Sequence, residues 1–251
     1  MSRRPASGLL PRRDPLRLLL SPSPWAGAAY LASYVVVGTV LFAVAVVAVV
    51  VSGVLSIFWL GLPLLVGAAL VVRGCAEVER VRLRLVAPGP VAGRYLEVTQ
   101  PGLLAQLSTR WRDPATRRGL AYVVGLWAPL LALDLVALVL WLYCLAGISI
   151  PLWYWSVPQT FDNGQTLHGL AFGSFPNGPD GPGGWGIWVG DLGTALAVAA
   201  AFLVLFLLVN YLVVIVARVH ARIARALLGP WTDPLAAANQ VLASPGPLSQ
   251  P

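Results

Sequence analysis

Residues 192–217 read LGTALAVAAAFLVLFLLVNYLVVIVA without one charged side chain, and Arg218-Val219-His220-Ala221-Arg222 follows at once. About 20 helical residues at ~1.5 Å rise cross the ~30 Å hydrocarbon layer of a bilayer, where only a helix satisfies its backbone polar groups from within one segment. The stretch therefore reads as a membrane-spanning helix that stops where arginine begins. Three further apolar blocks occupy residues 30–53, 54–73 and 119–147. None shows the alternating ten-residue segments of a β-barrel. The fold expected is all-α, an integral membrane four-helix bundle. The whole chain agrees: of 251 residues 58% are hydrophobic and 11% charged, with mean hydropathy +0.77, far from the composition of water-soluble domains.

All seventeen basic residues are arginine. Five precede residue 30, nine lie from Arg73 to Arg118, three follow residue 217, and none falls between 119 and 217. The positive-inside rule then places residues 1–29, 74–118 and 218–251 in the cytoplasm and 148–191 outside, giving a multi-pass cell-membrane protein with both termini inside. The net charge of +7 is thus topological, and with no basic helix separate from the membrane ends it does not point to nucleic acid. Arg3-Arg4 resembles a twin-arginine start, but the first apolar block is too long and too far along the chain for a signal peptide and is expected to remain as an anchor. Cys75 and Cys144 fall near opposite membrane faces. They read as small hydrophobic side chains, neither a disulfide nor a metal site.

Five prolines from Pro5 to Pro24 mark residues 1–29 as an unstructured cytoplasmic tail. Ser52-Gly53 closes the first helix in a tight hairpin, and Trp59 suits the outer headgroup level. Pro63 and Pro129 are positions where the second and third helices are expected to kink. The second helix should continue past Arg73 through Glu77, Glu79, Arg80, Arg82 and Arg84 until Ala87-Pro88-Gly89-Pro90 breaks it. Leu103, Leu104, Leu107 and Trp111 set against Arg110 and Arg112 predict a short helix on the inner membrane surface. Asp113-Pro114 supplies an N-cap and a first-turn proline for helix three. Glycines, prolines and Trp153, Tyr154, Trp155, Trp185 and Trp188 characterise the outer loop. Gly193, Ala197 and Ala201 permit close packing of helix four, within the chain or in a homodimer. Residues 231–251 form a short tail.

No HExxH, GxSxG, GxGxxG or Walker pattern occurs, so no enzyme, cofactor or metal is expected. His168 and His220 are expected to face solvent or the interface. Asp162, Asp180 and Asp191 sit in turn-like contexts. Asp134 stands apart: an ionised carboxylate in mid-helix costs at least ~2.5 kcal/mol, so it must be protonated, paired or hydrated, with Asn210, Tyr34 or Tyr211 as expected neighbours. It serves either as a polar contact within the bundle or in proton or ligand coupling. Trp153, Trp155, Trp185 and Trp188 form either an interfacial belt or a ligand platform. Arg218, Arg222 and Arg225 either dock a cytoplasmic regulatory protein or anchor the helix end to anionic lipid of the bilayer.

Three stretches carry a resemblance: Leu60-Gly61-Leu62-Pro63-Leu64-Leu65 through Arg73 to Glu77-Val78-Glu79-Arg80; Arg112-Asp113-Pro114-Ala115-Thr116 with Tyr122 and Pro129; and Arg222-Ile223-Ala224-Arg225-Ala226-Leu227-Leu228-Gly229-Pro230. Together, over residues 25 to 230, they resemble the putative sensor domain family of actinobacteria. That resemblance implies a four-helix membrane module that often precedes a histidine kinase and also occurs alone; here no kinase follows Gly229-Pro230. The function expected is a stand-alone membrane sensor that passes an envelope or membrane signal to a cytoplasmic partner. A small transporter or transporter subunit is the alternative, motivated by Asp134, Pro63 and Pro129.

Overall fold

In a computed structural model of the protein the described residues are 21–58, 61–86, 89, 91, 93, 95–98 and 101–230. Among them four helices are long and apolar enough to cross a membrane: Pro22–Ser56, Gly61–Leu85, Trp127–Ile148 and Leu192–Leu228. Helix α1 spans Pro22–Leu55 and a 3-10 turn, Ser56–Phe58, follows it. It starts before Tyr30 because Pro22 and Pro24 fall in its first turn, where a missing N–H costs nothing. The expected tail is therefore helical from Pro22, and the rest of it lies outside the described residues, as do residues 231–251 and Trp59.

Helix α2 covers Gly61–Arg82 and runs on through a 3-10 turn, Leu83–Leu85. Pro63 is its third residue, so the expected kink is absent for the same first-turn reason. Helix α3, Leu103–Arg112, is the predicted short amphipathic helix, and α4, Pro114–Leu120, begins behind Asp113, whose Oδ1 accepts the Ala115 N–H at 3.0 Å. A π-helical turn, Ala121–Gly125, leads into α5, Trp127–Ile148. Pro129 cannot donate to the carbonyl of Gly125, and the break in the ladder sits at that point. Helix α6 covers Leu192–Leu228, eleven residues beyond the expected end at 217.

The described residues fall into two compact units, 21–35 with 131–219, and 36–130 with 220–230. In the first, a Cβ on Gly27 would touch Val213 at 3.4 Å and Ala217 at 3.6 Å, so the start of α1 passes close to α6. Trp141 meets Trp25 edge-on at 5.1 Å and Phe206 at 5.9 Å. The region expected as a plain outer loop holds two antiparallel hairpins: β1 (Pro158–Thr160) with β2 (Thr166–His168), and β3 (Leu170–Ser174) with β4 (Trp185–Val189). Asn163-Gly164 turns the first, with Gly164 at φ 82°. In the second, Gly173 and Gly186 face each other at φ 144° and 123°, where a Cβ on either would strike the opposite backbone. A small core of Ile150, Val189 and Ala195 ties the β3–β4 hairpin to the helix ends. Gly193, Ala197 and Ala201 are exposed.

In the second unit the Ser52 hydroxyl donates to Leu64 O at 3.0 Å, and Cys75 reaches Leu41 O at 3.8 Å, so α1 and α2 run antiparallel. Helix α2 pairs with α3, α4 and the π-helical turn at separations of 40 to 46 residues throughout, through Leu65 with Trp111, Arg73 with Asp113 and Thr116, and Glu79 with Tyr122. A constant separation means that α2 and the α3–α4 run travel in the same direction. Strict in–out alternation of spans would have them opposed.

Candidate functional site

Glu79 and Arg82 lie one turn apart on α2, and both are buried. Arg82 Nε stands 3.2 Å from each Glu79 carboxylate oxygen and Nη2 stands 2.9 Å from Oε2, a forked pair. Burying two charges is tolerable only when such geometry and further hydrogen bonds compensate. The further bond comes from Tyr122, whose hydroxyl donates to Glu79 Oε2 at 3.2 Å and lies 2.9 Å from His220 Nε2. A phenol has one proton. Given to the carboxylate, it leaves the oxygen to accept from Nε2–H, and this assigns the His220 tautomer. Tyr122 and His220 are each 0% exposed and Glu79 is 1% exposed. The expectation that His220 faces solvent or the interface is thus corrected: it closes a buried chain Arg82–Glu79–Tyr122–His220 that joins α2, the π-helical turn and α6.

Two more arginines hold the carboxyl end of α6. The last carbonyls of any helix lack intrahelical donors and carry the negative end of its dipole. Here Arg80 Nε donates to Leu228 O at 2.9 Å, and Arg118 Nη2 donates to Ala226 O. Arg80 also bonds Glu77 and, at 2.8 Å, the Tyr95 hydroxyl. The Tyr95 ring lies 4.5 Å from the Arg73 guanidinium and 5.4 Å from that of Arg80. Burial pushes the Tyr95 phenol above its ordinary pKa, against the opposing pull of Arg80. Arg73 in turn donates at 2.8 Å to both Thr116 Oγ1 and Asp113 Oδ2, fixing α2 to the start of α4.

Chemically this arrangement is a carboxylate, a phenol and an imidazole in one hydrogen-bonded chain beside a helix end held by two guanidinium groups. It holds the end of α6 by hydrogen bonds from two other elements.

The residues singled out from sequence are placed as follows. Asp134 is fully buried in α5 and engaged in a polar interaction. Asn210 has its amide committed elsewhere, accepting from Trp141 Nε1 at 3.2 Å and donating to Phe206 O at 2.7 Å. The four tryptophans are not gathered on one platform. Trp153 packs on the Ile150–Val189–Ala195 core, and Trp188 lies against Phe161 and Phe175. Trp155 and Trp185 are 63% and 70% exposed. Arg218 is half-buried, whereas Arg222 and Arg225 are exposed.

Glu79, Arg80 and Tyr122 entered the sequence reading only as helix or motif residues, and neither they nor Arg118 were assigned a site there. A signal existed: Val213, Ala217, His220, Ala224 and Leu228 recur at helical spacing and are all buried, as are Val72, Ala76, Glu79 and Leu83. Each polar residue continues an apolar stripe.

The family model described as "Putative sensor" matches residues 30–228. No curated protein and no solved structure matches the chain.

Proposed function

The chain belongs to the family described as "Putative sensor", and from that premise we propose that it passes a signal from the membrane or its outer side to a cytoplasmic protein through α6. In this reading the arginine-rich ends face the cytoplasm, the two β-hairpins face outward, and α6 runs from one to the other. The observation that carries it is the pair of guanidinium bonds from Arg80 and Arg118 to the last carbonyls of α6. A shift or rotation of α6 breaks or keeps these bonds as a set, which gives its end two distinct states. Arg222 and Arg225 stand exposed on the same stretch for a partner to read. The role asks for no catalysis by this chain. The transport alternative keeps Asp134 and Pro129 but loses Pro63, which lies in a first turn.

Photo-crosslinking from position 222 in native membranes tests the reading. A single cytoplasmic protein is expected, captured in wild type and in changed yield in Arg80→Ala. Capture of only lipid and copies of the same chain overturns it.

A further inference from the structure

Where β3 and the turn Ile150–Leu152 meet α5 and α6, the first unit leaves a cavity of about 170 Å³, half open where the exposed Tyr143 and Ala146 line it. Its walls come from Ala146, Gly147, Ile150, Trp153, Leu170, Phe172 and Phe202, with the Tyr143 ring at one side, and they are wholly apolar. The indole N–H that could have made it polar is spent: Trp153 Nε1 donates to Ser149 Oγ at 3.0 Å. Phe202 stands edge-on to Tyr143 at 5.4 Å and 6.2 Å from Phe172, so the rings brace one another. A Cβ at Gly147 would collide with the Phe202 ring, so glycine there is what lets the ring lie against α5. The cavity is built into the packing.

We propose that this cavity binds a small uncharged hydrocarbon group, of about the size of one aromatic ring. An apolar void of roughly 150 Å³ walled by leucine, isoleucine and phenylalanine stays dry and takes up benzene or xenon. The wall atoms gain close dispersion contacts from an apolar occupant of matching shape. A polar ligand would give up its hydration here and find no hydrogen-bonding group in exchange. Aromatic walls also hold quaternary ammonium ions, but no carboxylate lines this cavity to favour a cation. The hydrocarbon can be a free molecule or the end of a bilayer acyl chain. Any effect of occupancy on α6, through Phe202, rests on the sensing reading above; occupancy itself does not.

The test uses the full chain in lipid nanodiscs, following the Trp153 indole N–H resonance while benzene is added. A saturable shift is expected in wild type, and its loss in Ala146→Leu, which fills the cavity, with Leu170→Phe as a second filled variant should the first not fold. Nanodiscs with protonated or deuterated acyl-chain methyls separate the sources. A methyl-to-indole Overhauser effect that benzene abolishes identifies a lipid occupant, and its absence with a saturable shift identifies a free one. The proposal is overturned by no saturable shift and no Overhauser effect, by equal response in a folded filled variant, or by tetramethylammonium acting at lower concentration than benzene. Failure of the crosslinking experiment would leave these outcomes unchanged.

Discussion

The Tyr122 hydroxyl bridges His220 Nε2 at 2.9 Å and Glu79 Oε2 at 3.2 Å, with no solvent reaching any of the three beyond a trace. Removing the oxygen by Tyr122→Phe leaves a buried imidazole N–H without its acceptor and a buried carboxylate short of a donor. The expected loss is about 1–3 kcal/mol of stability. Denaturation in detergent measures it, and an unchanged midpoint would show that the bridge contributes nothing.

The Arg82–Glu79 pair makes a sharper prediction. Taking away one partner, by Glu79→Leu or Arg82→Met, leaves a buried charge without its ion-pair partner at a cost of about 3–5 kcal/mol, whereas replacing both with apolar residues can be nearly neutral. The double variant should therefore be more stable than either single one. Strict additivity of the two losses would count against a buried pair.

The comparison between sequence and structure turns on what hydropathy registers. The spans were legible because lipid forces long uncharged helices, and Asp113-Pro114 was legible because a cap is a local device. The continuation of α2 to Arg82 was legible for the same local reason: Glu77, Glu79, Arg80 and Arg82 favour helix and form i,i+3 pairs. Sidedness of burial was not. His220 and Glu79 are polar by type, and only their register with Ala217 or Val72 shows that they turn inward.

The hairpins were missed because their strands are three to five residues long and mostly exposed, so no hydrophobic alternation marks them. Asn163-Gly164 between Pro158-Gln159-Thr160 and Thr166-Leu167-His168 was the available signal. Pro22, Pro24 and Pro63 misled because proline breaks a helix only beyond its first turn.

At the start of α6, Asp191 Oδ1 accepts the Thr194 N–H at 3.0 Å and Oδ2 accepts the Thr194 hydroxyl at 2.8 Å. These bonds, the backbone one first, hold its carboxyl below the ordinary aspartate range. A carboxylate depressed in the folded state contributes stability above its unfolded pKa of ~3.9, and that contribution is lost as pH falls through the folded value. Melting temperature should therefore fall more steeply in wild type than in Asp191→Asn as pH drops below about 4. Parallel curves would remove Asp191 from the account of this helix start.

Asp134 is fully buried with a polar interaction to keep. Asp134→Asn preserves size and hydrogen-bonding capacity and should leave the melting temperature almost unchanged. Asp134→Leu orphans the partner and should cost about 1–3 kcal/mol. Equal tolerance of both variants, with signalling intact, would reduce Asp134 to a residue of no structural or functional weight.

Membrane sidedness can be read with single cysteines, because native Cys75 and Cys144 are buried and give little background. In intact cells a cysteine at Gly181 is expected to react with a membrane-impermeant maleimide, and one at Arg222 only after permeabilisation, as the arginine distribution requires. The reverse pattern would invert the proposed direction of signalling. A second pair of sites tests the packing. Because α2 travels in the same direction as α3 and α4, Ser56 in the turn before α2 and Leu103 at the start of α3 belong to one end of their unit. They are expected to label alike, whereas strict alternation would put them on opposite faces. If Ser56 labels from outside and Leu103 from inside, the same-direction packing of α2 with α3 and α4 is not kept in the bilayer. The Trp111 indole bond to Leu65 O, which sets that direction, would then have to be absent there too, and Trp111→Phe would leave the stability of the embedded protein unchanged.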